Sequence, residues 1–280
     1  MTSLPLIFTG PPLQKKKTVR SVFTGTVKRK RNVDLLEAVE NGNIMEVKEL
    51  LDKGEDIEKK DRNGYTALML AALKDEIDIV KKLVESGAKI EAKNNIGRTA
   101  LMVASTTGAI NTVKYLLEKK ADIEAQDKNW HTALIMASSW GRIDVVKELI
   151  ESGADIEARD DFGRTALIIA SSSLFGQIDV VKNLVESGAD IEVKDIYGRN
   201  ALMYAAQFGQ IDVVKELIES GANIYARDNN GSTALMIAGQ NNKIEVVEEI
   251  VRRSMPGTPP SRPQDLRGKK HSPDSKGKTF

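Results

Sequence analysis

Asp61-Arg62-Asn63-Gly64-Tyr65-Thr66-Ala67-Leu68-Met69-Leu70-Ala71 is the stretch that decides the fold. Asp61 to Gly64 is a turn signal, because glycine takes a positive φ without steric cost. Thr66 suits a helix N-cap, its hydroxyl accepting from backbone N–H groups that the first helical turn leaves unpaired. Ala67 to Leu73 reads as a short helix with Leu68 on its buried face. The small Ala71-Ala72 pair allows a neighbouring helix to come close. Further along, Ile77, Val80, Leu83 and Val84 lie at helical spacing and predict a second helix. Gly87 closes that helix as a left-handed residue, and Ala88 to Lys93 extends into the next turn.

The same text recurs from Asn94, Asp127, Asp160, Asp195 and Asp228. Most steps are 33 residues, but Asp160 to Asp195 is 35, which places a two-residue insertion near Ser172–Phe175. Leu68 recurs as Leu101, Leu134, Leu167, Leu202 and Leu235, and Val80 as Val113, Val146, Val181, Val214 and Val247. Burying one such side chain is worth about 1.5–3 kcal/mol. Two short helices cannot bury both of their faces alone, so the units must stack into a solenoid. The expected body spans 33–253: a degenerate unit at 33–60, then units at 61–93, 94–126, 127–159, 160–194, 195–227 and 228–253. Both terminal units depart from the full motif, as caps with one face to solvent should.

These residues resemble the ankyrin repeat: the turn, the Thr-Ala-Leu segment, the paired small residues, the apolar second helix and the closing Gly-Ala. The resemblance implies an all-α solenoid of stacked helix-turn-helix units with β-turn or hairpin loops. It also implies a non-catalytic scaffold or adaptor that binds another protein on the concave side formed by turn tips and first helices. Where the family usually has Pro and then His after the capping Thr, this chain has Ala67 and Met69, Ala100 and Met102, Ala201 and Met203, and Ala234 and Met236. Two units carry Ile135 and Ile168 instead of Met. Apolar packing must therefore replace the histidine's bonds between repeats. Trp130 takes the turn position of Gly64, Gly97, Gly163, Gly198 and Gly231, so that turn is expected to differ. Lys120 replaces a closing glycine, which should weaken that cap by about 1 kcal/mol.

The 280 residues carry a net charge of only +1, but the charge is segregated. Residues 1–32 hold eight Lys or Arg and no acid, and 252–280 hold eight against two acids. The body between them nets −13. All eight prolines lie in the ends, which read as flexible basic tails at 1–32 and 254–280. Cysteine is absent and only His131 and His271 are present, so a His/Cys zinc site is close to excluded. No secretory signal or membrane span is evident. The expectation is an intracellular protein, cytoplasmic or nuclear, monomeric by itself and with no cofactor.

No phosphate-cradling glycine loop or nucleophile elbow appears, and His131 stands as a lone turn residue with no matching Ser or Asp constellation. Candidate partner-binding residues follow from repeat phase. The turn-tip row holds Tyr65, Arg98, His131, Arg164 and Arg199, with Trp130, Phe162 and Tyr197 beside it. Trp140, Phe175 and Phe208 fall near the ends of first helices. Trp, Tyr and Arg dominate interface hot spots. The alternative is that these aromatics cover neighbouring turns. The Arg row, with Lys93, Arg159, Lys194 and Arg227 nearby, could steer an acidic segment of a partner, or each Arg could simply pair with an adjacent Asp.

In the N-terminal tail, Lys15, Lys16 and Lys17 and then Lys28, Arg29, Lys30 and Arg31 look like a bipartite nuclear-import signal, which would suit a regulatory role in the nucleus. A solvated arm, or loose contact with nucleic acid or an acidic membrane, fits the same residues. An alternative function is nucleic-acid association, with the tails contacting phosphates and the acidic body contributing nothing.

Overall fold

The computed structural model describes residues 33–173 and 177–255. Among them are 14 α-helices, which alternate between two roles. The first helices of the pairs are α1 (Leu35–Glu40), α3 (Ala67–Leu73), α5 (Ala100–Thr107), α7 (Ala133–Ser139), α9 (Ala166–Ser171), α11 (Ala201–Phe208) and α13 (Ala234–Gln240). The second helices are α2 (Ile44–Asp52), α4 (Ile77–Glu85), α6 (Ile110–Glu118), α8 (Ile143–Glu151), α10 (Ile178–Glu186), α12 (Ile211–Glu219) and α14 (Ile244–Ser254). First helices pack on first helices and second on second, pair after pair, so the molecule is a two-layered helical solenoid.

Local chemistry explains each unit. Thr66, Thr99, Thr132, Thr165 and Thr233 cap the first helices by accepting the N–H three residues on, at 3.4–3.5 Å. Asn200 does the same at 3.1 Å. The leucines from Leu68 to Leu202 and the valines from Val80 to Val214 are fully buried. Leu235 and Val247, in the last pair, are only half-buried, and no further pair among the described residues covers them.

Apolar packing does replace the family's histidine. Met69, Met102, Ile135, Ile168 and Met203 are 0–1% exposed between successive first helices. Polar stitching between pairs comes from elsewhere. Glu58, Glu91, Glu124, Glu157 and Glu192 each accept a backbone N–H of the following unit at 2.7–2.9 Å. Each turn also donates one backbone N–H to the preceding turn, from Asn95, Lys128, Asp161, Ile196 and Asn229, at 3.0–3.1 Å.

One expectation needs correction. The turn at Trp130 does not differ. Trp130 adopts φ 63° and donates its N–H to Asp127 at 3.0 Å, as the glycines in its place do. The bonds within the turn and to its neighbours over-determine the backbone, so the bulky residue accepts the strain. At the C-terminal end α14 runs to Ser254, one residue past the expected body, and Arg252 and Arg253 lie within it. Arg253 binds Glu219 at 2.7 Å and Glu249 at 2.9 Å.

Second helices carry an acid in the first turn, where it complements the helix dipole, except α6, which has none. Asp75 of the preceding unit fills the gap. It sits at φ 56°, and its carboxylate accepts from the Thr112 hydroxyl at 2.8 Å and the Thr112 N–H at 3.2 Å.

Candidate partner-binding surface

Each interhelical turn is built around one acid or amide. Asp61, Asn94, Asp127, Asp160, Asp195 and Asp228 each accept the N–H groups two and four residues on, at 2.7–3.1 Å. That geometry points the residues between them outward. Gly64 shows why the tip favours glycine, since a Cβ there would lie 2.6 Å from the Asn95 backbone nitrogen of the next turn.

The aromatic candidates divide by exposure. Trp130 is 57% exposed and Tyr197 is also exposed, both on turn tips. Trp140, the C-cap of α7, is 39% exposed. Tyr65, Phe162 and Phe208 are half-buried, and Phe162 lies under the Arg164 guanidinium at 5.0 Å. Phe175 falls outside the described residues. Exposed Ile96 and Ile196 extend the apolar tips. Ile196 was legible as an apolar residue at a turn position held elsewhere by Arg62, Asn95, Lys128, Asp161 and Asn229.

The Arg row is committed to aspartates. Arg164 binds Asp160 within its own turn at 2.7 Å. Arg98 and Arg199 instead reach the acid of the following turn, Asp127 at 3.4 Å and Asp228 at 3.5 Å. Because these acids are buried, the arginines neutralise interior charge and are poorly placed to greet a ligand.

His131 is not a surface residue: it is 3% exposed. Nor does it lack acidic neighbours. Its Nδ1 lies 3.2–3.3 Å from the Asp127 carboxylate, and its Nε2 lies 3.9 Å from Asp160. Burial alone would raise the Asp127 carboxyl. The His131 hydrogen bond and the turn N–H groups outweigh it and hold that carboxyl below its ordinary range. Buried Tyr204 donates to Asp195 at 2.6 Å, and desolvation, then the carboxylate, push its hydroxyl up. His131 bridges two turns and Tyr204 ties its helix to the turn of its own unit, and both side chains are buried.

The exposed cations form a different row. Lys60, Lys93 and Lys194 donate to the backbone carbonyls of Lys93, Gln126 and Arg227 in the following unit at 2.8–3.0 Å, and Arg159 reaches Lys194 at 3.2 Å. A neutral carbonyl leaves their charge uncompensated. Arg62 and Lys128, also exposed, form no ion pair among the described residues. Exposed acid within the turn tips is confined to Asp161. The tips thus form a cationic strip with apolar side chains set into it.

Among the described residues no group of His, Cys, Asp and Glu is placed to hold a metal ion. None of their helices is long and apolar enough to cross a membrane. The candidate import residues Lys15, Lys16, Lys17, Lys28, Arg29, Lys30 and Arg31 lie outside the described residues.

A family model for ankyrin repeats matches three successive stretches, 35–127, 124–195 and 176–258. No curated protein shows a significant match to the chain. Repeats of this family are generally protein–protein interaction modules and typically non-catalytic. With the stacked helix pairs and the matched span in agreement, the chain belongs to the ankyrin-repeat family.

Proposed function

We propose that the protein is a non-catalytic adaptor that holds an acidic, partly apolar segment of another protein along its turn tips and first-helix ends. One observation carries this reading: Ile96, Trp130, Ile196 and Tyr197 are exposed on tips whose other exposed charges are cationic apart from Asp161. Apolar side chains supply anchors, and the exposed cations steer and orient an acidic ligand. The committed Arg98, Arg164 and Arg199 stiffen the strip from beneath. No cofactor enters this function, and the cell compartment would be set by the tails.

The test is selection of binders from a random peptide library, followed by affinity measurements. Selected peptides should combine Asp or Glu with aromatic or branched residues, and their affinity should fall steeply with salt. Trp130→Gly removes the indole while easing the backbone, and Trp140→Ala removes the second ring. Together they should weaken binding at least about tenfold, in the range of an interface hot spot. Selection of neutral or basic peptides, or indifference to both changes, would sink the proposal. Binding of nucleic acid that disappears on deleting 1–32 and 256–280 would favour the tail-mediated alternative instead.

A further inference from the structure

The last helix pair keeps the residues of an internal pair, yet nothing among the described residues covers it. Met236 is 48% exposed, whereas Met69, Met102, Ile135, Ile168 and Met203 at the same repeat position are 0–1% exposed. Along α14 and its C-cap, Ile244, Glu248, Val251 and Met255 are spaced four, three and four residues apart, and all four are exposed. Ile244 is 68% exposed, although the isoleucines in its place in the earlier pairs are half-buried. The opposite side of α14, with Val246, Glu249 and Ile250, faces the core. This 4-3-4 stripe, apolar except at Glu248, has the spacing with which one helix packs along another.

The charges on this stripe are reversed relative to the rest of the chain. All six earlier second helices have Lys at the place of Glu248, and Lys114 and Lys182 reach Glu148 and Glu216 of the next unit at 3.3 and 4.0 Å. Arg252 in turn stands where five earlier second helices have Glu. A further unit of the internal kind would bring its own acid against Glu248. Head-to-tail addition of a second copy is opposed as well. The leading face of α1 carries Glu37, where the later first helices bury Leu70, Val103, Met136, Ile169, Tyr204 and Ile237.

The stripe does match itself. With two α14 helices antiparallel about a two-fold axis near Ile250, Ile244 meets the partner's Met255 and Glu248 meets the partner's Arg252. Val251 lies close to the axis. Arg252 already holds Glu249 at 2.6 Å, but 54% of its side chain stays exposed for a second carboxylate. We propose that two copies of this chain associate through α14 in this antiparallel, isologous arrangement, with Met236 at its border. The surface differs from the turn tips, so dimerisation and partner binding can fail separately.

The test is the mass of the full chain by analytical ultracentrifugation from about 1 μM to about 1 mM, the range in which modest interfaces dissociate. The expected result is a reversible monomer–dimer equilibrium. Ile244→Asp, on a side chain the fold hardly uses, should abolish it. Glu248→Arg and Arg252→Glu should each weaken association about tenfold, by placing like charges together. The double variant, with the charges exchanged, should return to within about threefold of the natural chain. A monomer at every concentration overturns the proposal. So does association that ignores Ile244→Asp, or a double variant no better than the singles.

Discussion

The two ends of the solenoid solve the same problem differently. At the N-terminal end, Glu37 replaces the apolar residue that would meet a preceding unit. Asp34 caps α1 there, and its carboxylate also binds Lys59 at 3.0 Å. At the C-terminal end, Met236 and Ile244 stay apolar and open. One end is closed to further stacking by polarity, and the other by reversed charge on an apolar stripe. In a repeat array each unit contacts only its neighbours, so a residue's energetic role depends on whether the next unit exists.

The sharpest test of that contrast compares Met203→Ala with Met236→Ala. They are equivalent in the repeat, but only Met203 is enclosed. Met203→Ala should cost about 2–5 kcal/mol in urea unfolding, as a buried truncation does. Met236→Ala should change stability by less than about 0.5 kcal/mol. Equal losses would show that the last unit is covered in solution.

Next in size is the N-terminal cap. Asp34→Ala should destabilise by about 1 kcal/mol, seen as faster hydrogen exchange in α1 and α2. The Glu37 N–H, and then Lys59, hold the Asp34 carboxyl below its ordinary 3.8. A depressed carboxyl contributes stability that is present above its unfolded value and lost as pH falls through its folded value. Glu249 is held low by Arg252, and by Arg253 against the opposing effect of burial, so the last pair should loosen in the same direction. Both ends should therefore loosen in acid, below about pH 4, and Asp127 loses its contribution in the middle in the same direction. Removing Asp34 should erase its share of that pH dependence.

The internal units supply a smaller effect of opposite sign. Lys120 sits at φ 65° where Gly87, Gly153, Gly188 and Gly221 sit in other units. Lys120→Gly should stabilise by up to about 1 kcal/mol by removing left-handed strain. Thermal melts of the two proteins will show it. Glu37→Met should have the smallest effect on stability, within about 0.5 kcal/mol. It should make the N-terminal face adhesive, so that sedimentation shows new concentration-dependent association.

Much of the stack was legible beforehand. Leu68, Val80 and their recurrences, the Thr caps and the turn signals are local and periodic, and the structure uses them as expected. The candidate surface was legible only in part. Trp130, Trp140 and Tyr197 are exposed, but His131 is enclosed between Asp127 and Asp160. The latter acid lies one repeat away, so its proximity depends on how adjacent turns pack. The same holds for arginine. Arg164 pairs within its own turn while Arg98 and Arg199 pair with the next, although all three share one repeat position.

The cations at the place of Lys93 behave alike instead: Lys60, Lys93, Arg159 and Lys194 each reach a carbonyl of the following unit. Lys128, at a different repeat position, is exposed to solvent. By itself, the sequence determined the architecture: local propensities recur every 33 residues, and each unit carries on both faces the residues its neighbours require. Only the tertiary structure decided which of those residues are spent on the stack and which remain for a partner. Exposure and charge compensation depend on atoms brought near from another unit, and at α14 on the lack of a covering unit among the described residues.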